Sequence, residues 1–259
     1  MDQKNKPKLK LSIILPVRNE GINIYLMLKI LESLVSIPHE VLVVYDDKKD
    51  KTFSATEKLK VSHHNLRPVL NTLGKGVINA IKTGIQNAKG KYILILAVDD
   101  VGPTLAIEDM IYLLDHGCDF VSCTRYKYGG RRLGGSVLES LVSQFGNKLV
   151  MLLSRSAFSD ATTGFKMFRA NTFKEITLES NPIGWAVVLE MAIKAQAHGL
   201  SLGEVPIISI DRLYGGKSSF RLSSWISEYA RWFWYGLIHF RSLNHNRRIK
   251  VRIPKSNLS

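Results

Sequence analysis

The chain has 259 residues, 45% of them hydrophobic, and a formal net charge of +14. Such a length and apolar content allow one large α/β domain, or one domain with a short appendage, and exclude disorder as the dominant state. So large a positive charge points to an anionic partner: nucleic acid, an anionic membrane surface or a polyphosphate substrate.

In chain order, Met1–Lys10 is polar and basic, and the apolar run after it is only strand-long. No signal peptide is read there, so the amino terminus is expected to stay cytoplasmic. A strand at Leu11–Leu15, a helix about Ile22–Val35, a strand at Glu40–Tyr45, a helix about Phe53–Leu59 and a strand at Arg67–Leu70 alternate as a parallel sheet requires. A helix at Val77–Ala88 closed by Gly90, a strand at Tyr92–Val98, a helix at Leu105–His116 closed by Gly117, and a strand at Phe120–Thr124 continue the series. The alternation then stops, which predicts a doubly wound sheet rather than a barrel. The second half is less regular: a helix at Val137–Leu153, an extended segment at Gly164–Arg169, a helix about Ala186–His198 and a strand at Glu204–Ile210. Cys118 and Cys123 form no disulfide framework and suit a reducing compartment. The histidines have no zinc-like spacing.

Leu222–Phe240 carries Trp225, Trp232, Phe233, Trp234, Tyr235 and Phe240 among serines and charges. A spanning helix needs about 20 mostly apolar residues, and the unbroken run Trp232–Ile238 is far shorter. Two readings stand: an interfacial helix lying on a membrane, or a core helix packing its aromatics on the sheet. From Arg212 to Ser259, ten cations face Glu228 alone, so this stretch holds +9 of the +14. The expected division is a catalytic domain over 1–220 and a membrane-interface helix and tail over 221–259.

Tyr92–Val98 runs directly into Asp99 and Asp100, and Glu40–Tyr45 into Asp46 and Asp47, with Asp50 and Thr52 close behind. Carboxylates at the carboxyl ends of two buried strands mark the edge where an open α/β sheet presents a metal or a ligand. Pro16, Arg18 and Glu20 reach the same edge from the first strand. Gly74-Lys75-Gly76 opens a helix there, either for close approach to a phosphate or as a plain helix-opening turn. A departing nucleoside diphosphate gathers negative charge, which a divalent cation on carboxylates and nearby basic donors stabilises.

These motifs continue through Thr124-Arg125-Tyr126, Gly129-Gly130, Ser143 to Asn147, Asp160-Ala161-Thr162-Thr163-Gly164-Phe165, Glu204-Val205-Pro206, and Arg212 with Gly216-Lys217-Ser218. The ordered set, from roughly Leu11 to Phe220, resembles the inverting GT-A glycosyltransferases of family two. The likeness is nearest to the polyprenyl-phosphate group that includes dolichyl-phosphate mannose synthase. The resemblance implies a GT-A (Rossmann-like) doubly wound, mostly parallel sheet with helices on both faces, plus the carboxyl-terminal amphipathic helix. It also implies a divalent cation (Mg2+ or Mn2+), a nucleotide-sugar donor, inversion, a polyprenyl phosphate acceptor, and peripheral attachment to an anionic membrane at its cytoplasmic, inner face. Asp99 and Asp100 would hold the metal, with Asp99 and Asp160 catalytic. Pro16, Arg18, Glu20, Asp46, Asp47, Gly74, Lys75 and Val98 would line the nucleotide. Arg125, Arg131, Arg132, Ser143, Arg212 and Ser218 would meet the acceptor phosphate, Arg125 through a two-point guanidinium contact. A phosphate monoester has its second pKa at about 6, so Asp160 is expected to orient the acceptor rather than deprotonate it.

Three positions depart from the pattern. Ala97 replaces the first carboxylate of the metal motif, Glu139 replaces a second acceptor arginine for which Arg131 or Arg132 would substitute, and Ser219 replaces a lysine after a one-residue insertion. Rival readings follow: transfer to a cell-surface or lipid-linked glycan, an inactive nucleotide-sugar-binding scaffold, or a basic nucleic-acid-binding protein. The clustered aspartates at the sheet edge oppose the last, so no nucleic acid is expected. Sugar, nucleoside and oligomeric state are left open.

Overall fold

A computed structural model of the chain describes residues 9–61, 63–134, 137–153, 156–173, 176–182, 184–210, 222–240 and 249–254, without the side chains of 137–142, 150, 153 and 222–225. Arg212, Ser218, the Glu139 side chain and much of the basic tail lie outside the described residues.

The first half alternates β1 (Leu11–Val17), α1 (Gly21–Leu34), β2 (His39–Tyr45), α2 (Lys51–Leu59), β3 (Leu66–Leu70), α3 (Val77–Asn87), β4 (Tyr92–Ile95), a 3₁₀ turn at Gly102–Ala106, α4 (Ile107–Asp115) and β5 (Phe120–Thr124). Then come β6 (Arg131–Leu133), α5 (Val137–Leu153), β7 (Lys166–Arg169), α6 (Ala186–Ala197), β8 (Leu202–Pro206), β9 (Ile208–Ile210), α7 (Leu222–Phe240) and β10 (Lys250–Val251). The main sheet runs β10-β8-β5-β7-β4-β1-β2-β3, and β6 and β9 form a second, two-stranded sheet.

Strand alternation divides the core. Leu11, Ile13, Leu15 and Val17 of β1 pack with α1, α2 and α4, whereas Ile14 faces the opposite side, with α3, α6 and α7. Helices therefore cover both faces, as a sheet of buried apolar strands requires.

Several details differ from the sequence expectation. β7 runs antiparallel to both β4 and β5, so the chain enters it from the same edge at which its parallel neighbours end. The expected strand Glu204–Ile210 is two strands in different sheets. Pro206 has no N–H to offer on the β10 side, and once the Ile207 N–H has closed the β5 ladder on the Thr124 carbonyl at 2.9 Å the chain leaves for β9. β4 ends at Ile95, short of Val98, leaving 97–100 as a turn. β6 and β10 lack apolar alternation and were not anticipated.

One face of α7 is core. Trp232, Phe240 and the Glu228 carboxylate are buried against the body of the protein, and Glu228 accepts from the Asn181 backbone at 3.2 Å and from the Asn181 side chain. The outward face keeps Ile226, Trp234 and Ile238 exposed, at 58%, 62% and 67%. Two tail cations serve the sheet edge. Lys250 donates to the His116 carbonyl at the end of α4, and Arg252 pairs with Asp109 over the ring of Tyr112.

Candidate active site

Because β1, β2, β3 and β4 are parallel, their carboxyl ends meet at one edge. Pro16 lies inside β1 beyond its last β4 partner, with Arg18 exposed and Glu20 half-buried just after it. Asn19 adopts φ 58°, and the Asp50 carboxylate holds it there, accepting from its backbone N–H at 3.0 and 3.1 Å while also capping α2 through Thr52. Asp46 does not project freely. One of its oxygens accepts from Asn71 Nδ2 at 2.7 Å and the other from the Gly76 N–H at 3.0 Å. Gly74 and Gly76 have φ of +101° and +117°, and a Cβ on Gly76 would meet Pro182 Cβ at 2.7 Å, so glycine is required at this turn. Asp46 and Asn71 thus build the turn, which favours the helix-opening reading of the glycines and leaves exposed Asp47 and Lys75 facing solvent.

The acidic turn after β4 is pinned from the other side. Asp100 accepts from Ser209 Oγ at 2.6 Å and from the Ile210 N–H at 3.0 Å. A Cβ on Gly102 would meet the Ile208 carbonyl oxygen at 1.8 Å, so only glycine lets β9 come this close. The Val98 side chain is buried in the first core, so it does not project from the edge. Asp99 is half-buried at the edge. Among the described residues no three potential ligands gather into a metal cage. A cation held by one or two carboxylates and mostly by substrate phosphates, as Mg2+ commonly is, fits Asp99 with Asp100 behind it.

Beside the carboxyl end of β5, Asp160 is fully buried. It takes Arg125 in a fork, Nε to Oδ2 at 2.7 Å and Nη2 to Oδ1 at 3.0 Å, with the Arg125 backbone N–H at 3.2 Å. Asn147 and Thr162 complete its shell. Burial pushes the Asp160 carboxyl up, but the guanidinium more than reverses this and holds it below the usual range. Arg125 is likewise held above its ordinary value against the effect of burial. Asp160 therefore anchors Arg125 and has no open face for a base. Arg125 Nη1 donates no hydrogen bond among the described residues, and the Arg125 side chain is 14% exposed. Ser143 Oγ accepts from the Tyr126 hydroxyl at 2.9 Å beside this shell.

Arg125 forms the inner wall of a cavity of about 480 Å³, lined further by Lys127, Arg131, Arg132, Lys148 and Asn147. Arg131 is set by the pairing of β6 with β9 and by its N–H bond to the Ile207 carbonyl at 2.9 Å. The pinned acidic turn and the cationic wall thus share β9 as their common support.

Beneath this wall lies a buried cluster that the sequence did not mark. Lys166 is fully buried, with Nζ donating to Ser122 Oγ at 2.7 Å and to the Ala161 carbonyl at 3.1 Å. Burial lowers its pKa to about 8, despite Asp160, Cys123 and Glu204 nearby. Glu204 accepts from the Ser159 N–H and hydroxyl at 2.9 and 2.8 Å. Above about pH 8 the folded protein has lost the Lys166 proton, whereas the unfolded chain keeps it to about 10.5. Unfolding in that window takes up a proton, so this residue makes stability rise with pH, by at most about 1.4 kcal/mol per unit. Urea melts at pH 8, 9 and 10 are expected to show a shallower rise in Lys166→Met; equal slopes would mean that Lys166 titrates normally.

Sequence reasoning also missed Asn71, Lys127, Lys148 and Tyr229. Tyr229, on α7, feels the charges of both Arg125 and Asp160, and burial pushes its hydroxyl up to about 12. Nothing local marks these residues, because each acts on partners far away in the chain.

Residues 12–177 match the family described as Glycosyl transferase family 2. A dolichol-phosphate mannosyltransferase of Pyrococcus furiosus is 27% identical over 195 residues, which is 73% of this chain and 53% of the relative. A dolichyl-phosphate beta-glucosyltransferase of Dictyostelium discoideum is 25% identical over 215 residues, 76% of this chain and 65% of the relative. The chain thus spans about half the length of the first relative and just under two thirds of the second. Glucosyl-3-phosphoglycerate synthase from Mycobacterium tuberculosis, solved with Mn2+, uridine diphosphate and glucosyl-3-phosphoglycerate, matches with a TM-score of 0.64 at 16% identity, over 92% of this chain and 82% of that one. Staphylococcus aureus TarS 1-349 matches with a TM-score of 0.59 at 18% identity, over 92% and 67%. These structures share the expected α/β fold, and the sequence match over most of the sheet shows that the chain belongs to glycosyl transferase family 2.

Proposed function

We propose that the chain moves a sugar from a nucleotide-sugar donor, with inversion, onto a phosphate-bearing polyprenyl lipid of the dolichyl or undecaprenyl phosphate type at the cytoplasmic membrane face. The observation that carries this reading is the cation-lined cavity at Arg125, supported by the same β9 that pins the acidic donor edge. The names of the two relatives above, both of which act on dolichyl phosphate, support the acceptor class. Arg125 holds the acceptor phosphate oxygens, and the buried Asp160 fixes the guanidinium in place. An already ionised phosphate needs no base, so the fully hydrogen-bonded Asp160 suits an orienting role. Arg131, Arg132 and Ser143, with Arg212 and Ser218, complete the acceptor set. On the donor side Arg18, Glu20, Asp47 and Lys75 offer polar groups to the nucleotide. Asp99, with Asp100, would hold Mg2+ or Mn2+, which when bound supplies charge for the departing diphosphate.

No helix among the described residues is long and apolar enough to cross a membrane. The exposed Ile226, Trp234 and Ile238 of α7 suit contact with an anionic membrane surface, as an interfacial helix makes it. Incubation with native lipid extract and a panel of nucleotide sugars, read by mass spectrometry, tests the reading: a hexose gained by a polyprenyl phosphate supports it, and a hexose gained only by a glycan overturns it. Asp99→Asn is expected to lower transfer by about a hundred- to thousandfold with the fold intact. Near-normal turnover with unchanged dependence on divalent ion would remove Asp99 from the metal site.

A further inference from the structure

A carboxylate stands in the core stripe of α7. Glu228, Trp232, Gly236 and Phe240 recur every four residues on its inward face, and Glu228 is 4% exposed. Burying an ionised group costs free energy that an apolar side chain at the same position would not, so its use lies in its partners. Both donors of Asn181 meet it: the backbone N–H donates to Oε2 at 3.2 Å and the side-chain amide to Oε1. Arg231, one turn on, lies 3.7 Å from Glu228 and donates to the Glu179 carbonyl at 3.1 Å. From the other side, Glu190 of α6 accepts from the Ser180 N–H and hydroxyl at 2.8 and 2.6 Å, and Lys194 bridges Glu190 and Glu179 at 2.9 and 2.6 Å. Residues 179–181 thus form a strap fastened at each residue to α6 or α7, and the bond pair between Asn181 and Glu228 is the fastening next to Pro182.

Pro182 is where the strap meets the donor edge. A Cβ on Gly76 would meet the Pro182 carbonyl oxygen at 3.0 Å and Cα at 3.3 Å as well as its Cβ, so the strap's backbone and its ring both abut the turn. The turn's other supports come from the β2 and β3 side: Asp46 accepts from the Gly76 N–H, and Asn71 Nδ2 donates to Asp46 and to the Gly74 carbonyl at 2.6 Å. Pro182 supports it from the α6 and α7 side, and Lys75, exposed between the two glycines, is carried with it.

We propose that Glu228 is a positioning residue for donor binding: by tying Asn181 to α7 it seats Pro182 against Gly76, and so holds the Gly74-Lys75-Gly76 turn in the shape that meets the nucleotide. The role deepens the donor side of the function proposed above and rests on it. The helix that carries Ile226, Trp234 and Ile238 on its outward face thereby reaches the nucleotide through its inward one.

Titration calorimetry with UDP and with GDP, each with Mn2+, and separately with farnesyl phosphate, tests the role. Glu228→Gln keeps the shape but leaves one acceptor for two Asn181 donors, and Asn181→Ala removes the amide at an exposed position. Each is expected to weaken the nucleotide that the intact protein binds by roughly three- to thirtyfold, and to leave farnesyl phosphate within about twofold of its original affinity. Pro182→Gly, which takes away the ring beside Gly76, is expected to weaken the nucleotide likewise. Adding Glu228→Gln to it should weaken binding no more than about twofold further, because both act through one contact. Unchanged nucleotide affinity in Glu228→Gln or Asn181→Ala, equal weakening of farnesyl phosphate, or full additivity with Pro182→Gly would each overturn the role; if Glu228→Gln does not fold, Asn181→Ala decides alone. An intact protein that binds neither nucleotide would overturn the donor reading, and this role with it.

Discussion

Arg125→Ala is expected to remove transfer to lipid phosphate and to destabilise the protein in the same step. The guanidinium is the main partner of a fully buried carboxylate, and breaking a buried pair from one side leaves the other charge uncompensated. The loss should be about 3 kcal/mol, the low end for such pairs, because Arg125 keeps some exposure. A urea melt reads the stability and a radiolabelled-sugar assay the transfer. Arg125→Lys keeps the charge without the two-point geometry, so it should recover much of the stability and little of the transfer. Retention of both by Arg125→Ala would dismiss the anchor role. Equal losses of donor affinity and acceptor use would instead place Arg125 on the donor diphosphate.

Two neighbouring tryptophans should behave oppositely. Trp232 is 1% exposed and among the largest fully buried side chains, so Trp232→Ala should cost about 3–5 kcal/mol. Trp234 is 62% exposed on the other side of α7, so Trp234→Ala should change stability by no more than about 0.5 kcal/mol. That variant should instead reduce binding to anionic vesicles and blunt the blue shift of tryptophan fluorescence that accompanies it. Comparable destabilisation by both variants would mean that the outward face is also covered. Indifference of the intact protein to anionic over neutral vesicles at low salt would sink membrane docking, though not the transferase reading. Truncation after Phe220 removes Trp232, Phe240 and β10 together, so the shortened chain is expected to be insoluble rather than released from membranes.

The alternating strands and helices of the first half were legible because apolar period and glycine stops are local properties of a few consecutive residues. So were the carboxylates at strand ends, since parallel order carries those ends to one edge. The helix Leu222–Phe240 was legible in extent but not in allegiance: its aromatics sit on both faces, and only contact with the body of the protein selects Trp232 as core and Trp234 as surface. Asp46 and Asp100 looked like ligand carboxylates. Their hydrogen bonds to Asn71, Gly76, Ser209 and Ile210 make them builders of the site as well.

The amino-acid sequence by itself determined the α/β class, the acidic edge and the presence of Arg125 and Asp160 as chemically apt residues, because side-chain type and short-range spacing suffice for these. Only the tertiary structure decided that Asp160 grips Arg125 across 35 positions of chain, that β9 braces both the acidic turn and the cationic wall, and that Lys127 and Lys148 line one cavity. Those pairings cross from one element to another, and their partners are chosen by strand order and close packing, which no local run of residues encodes.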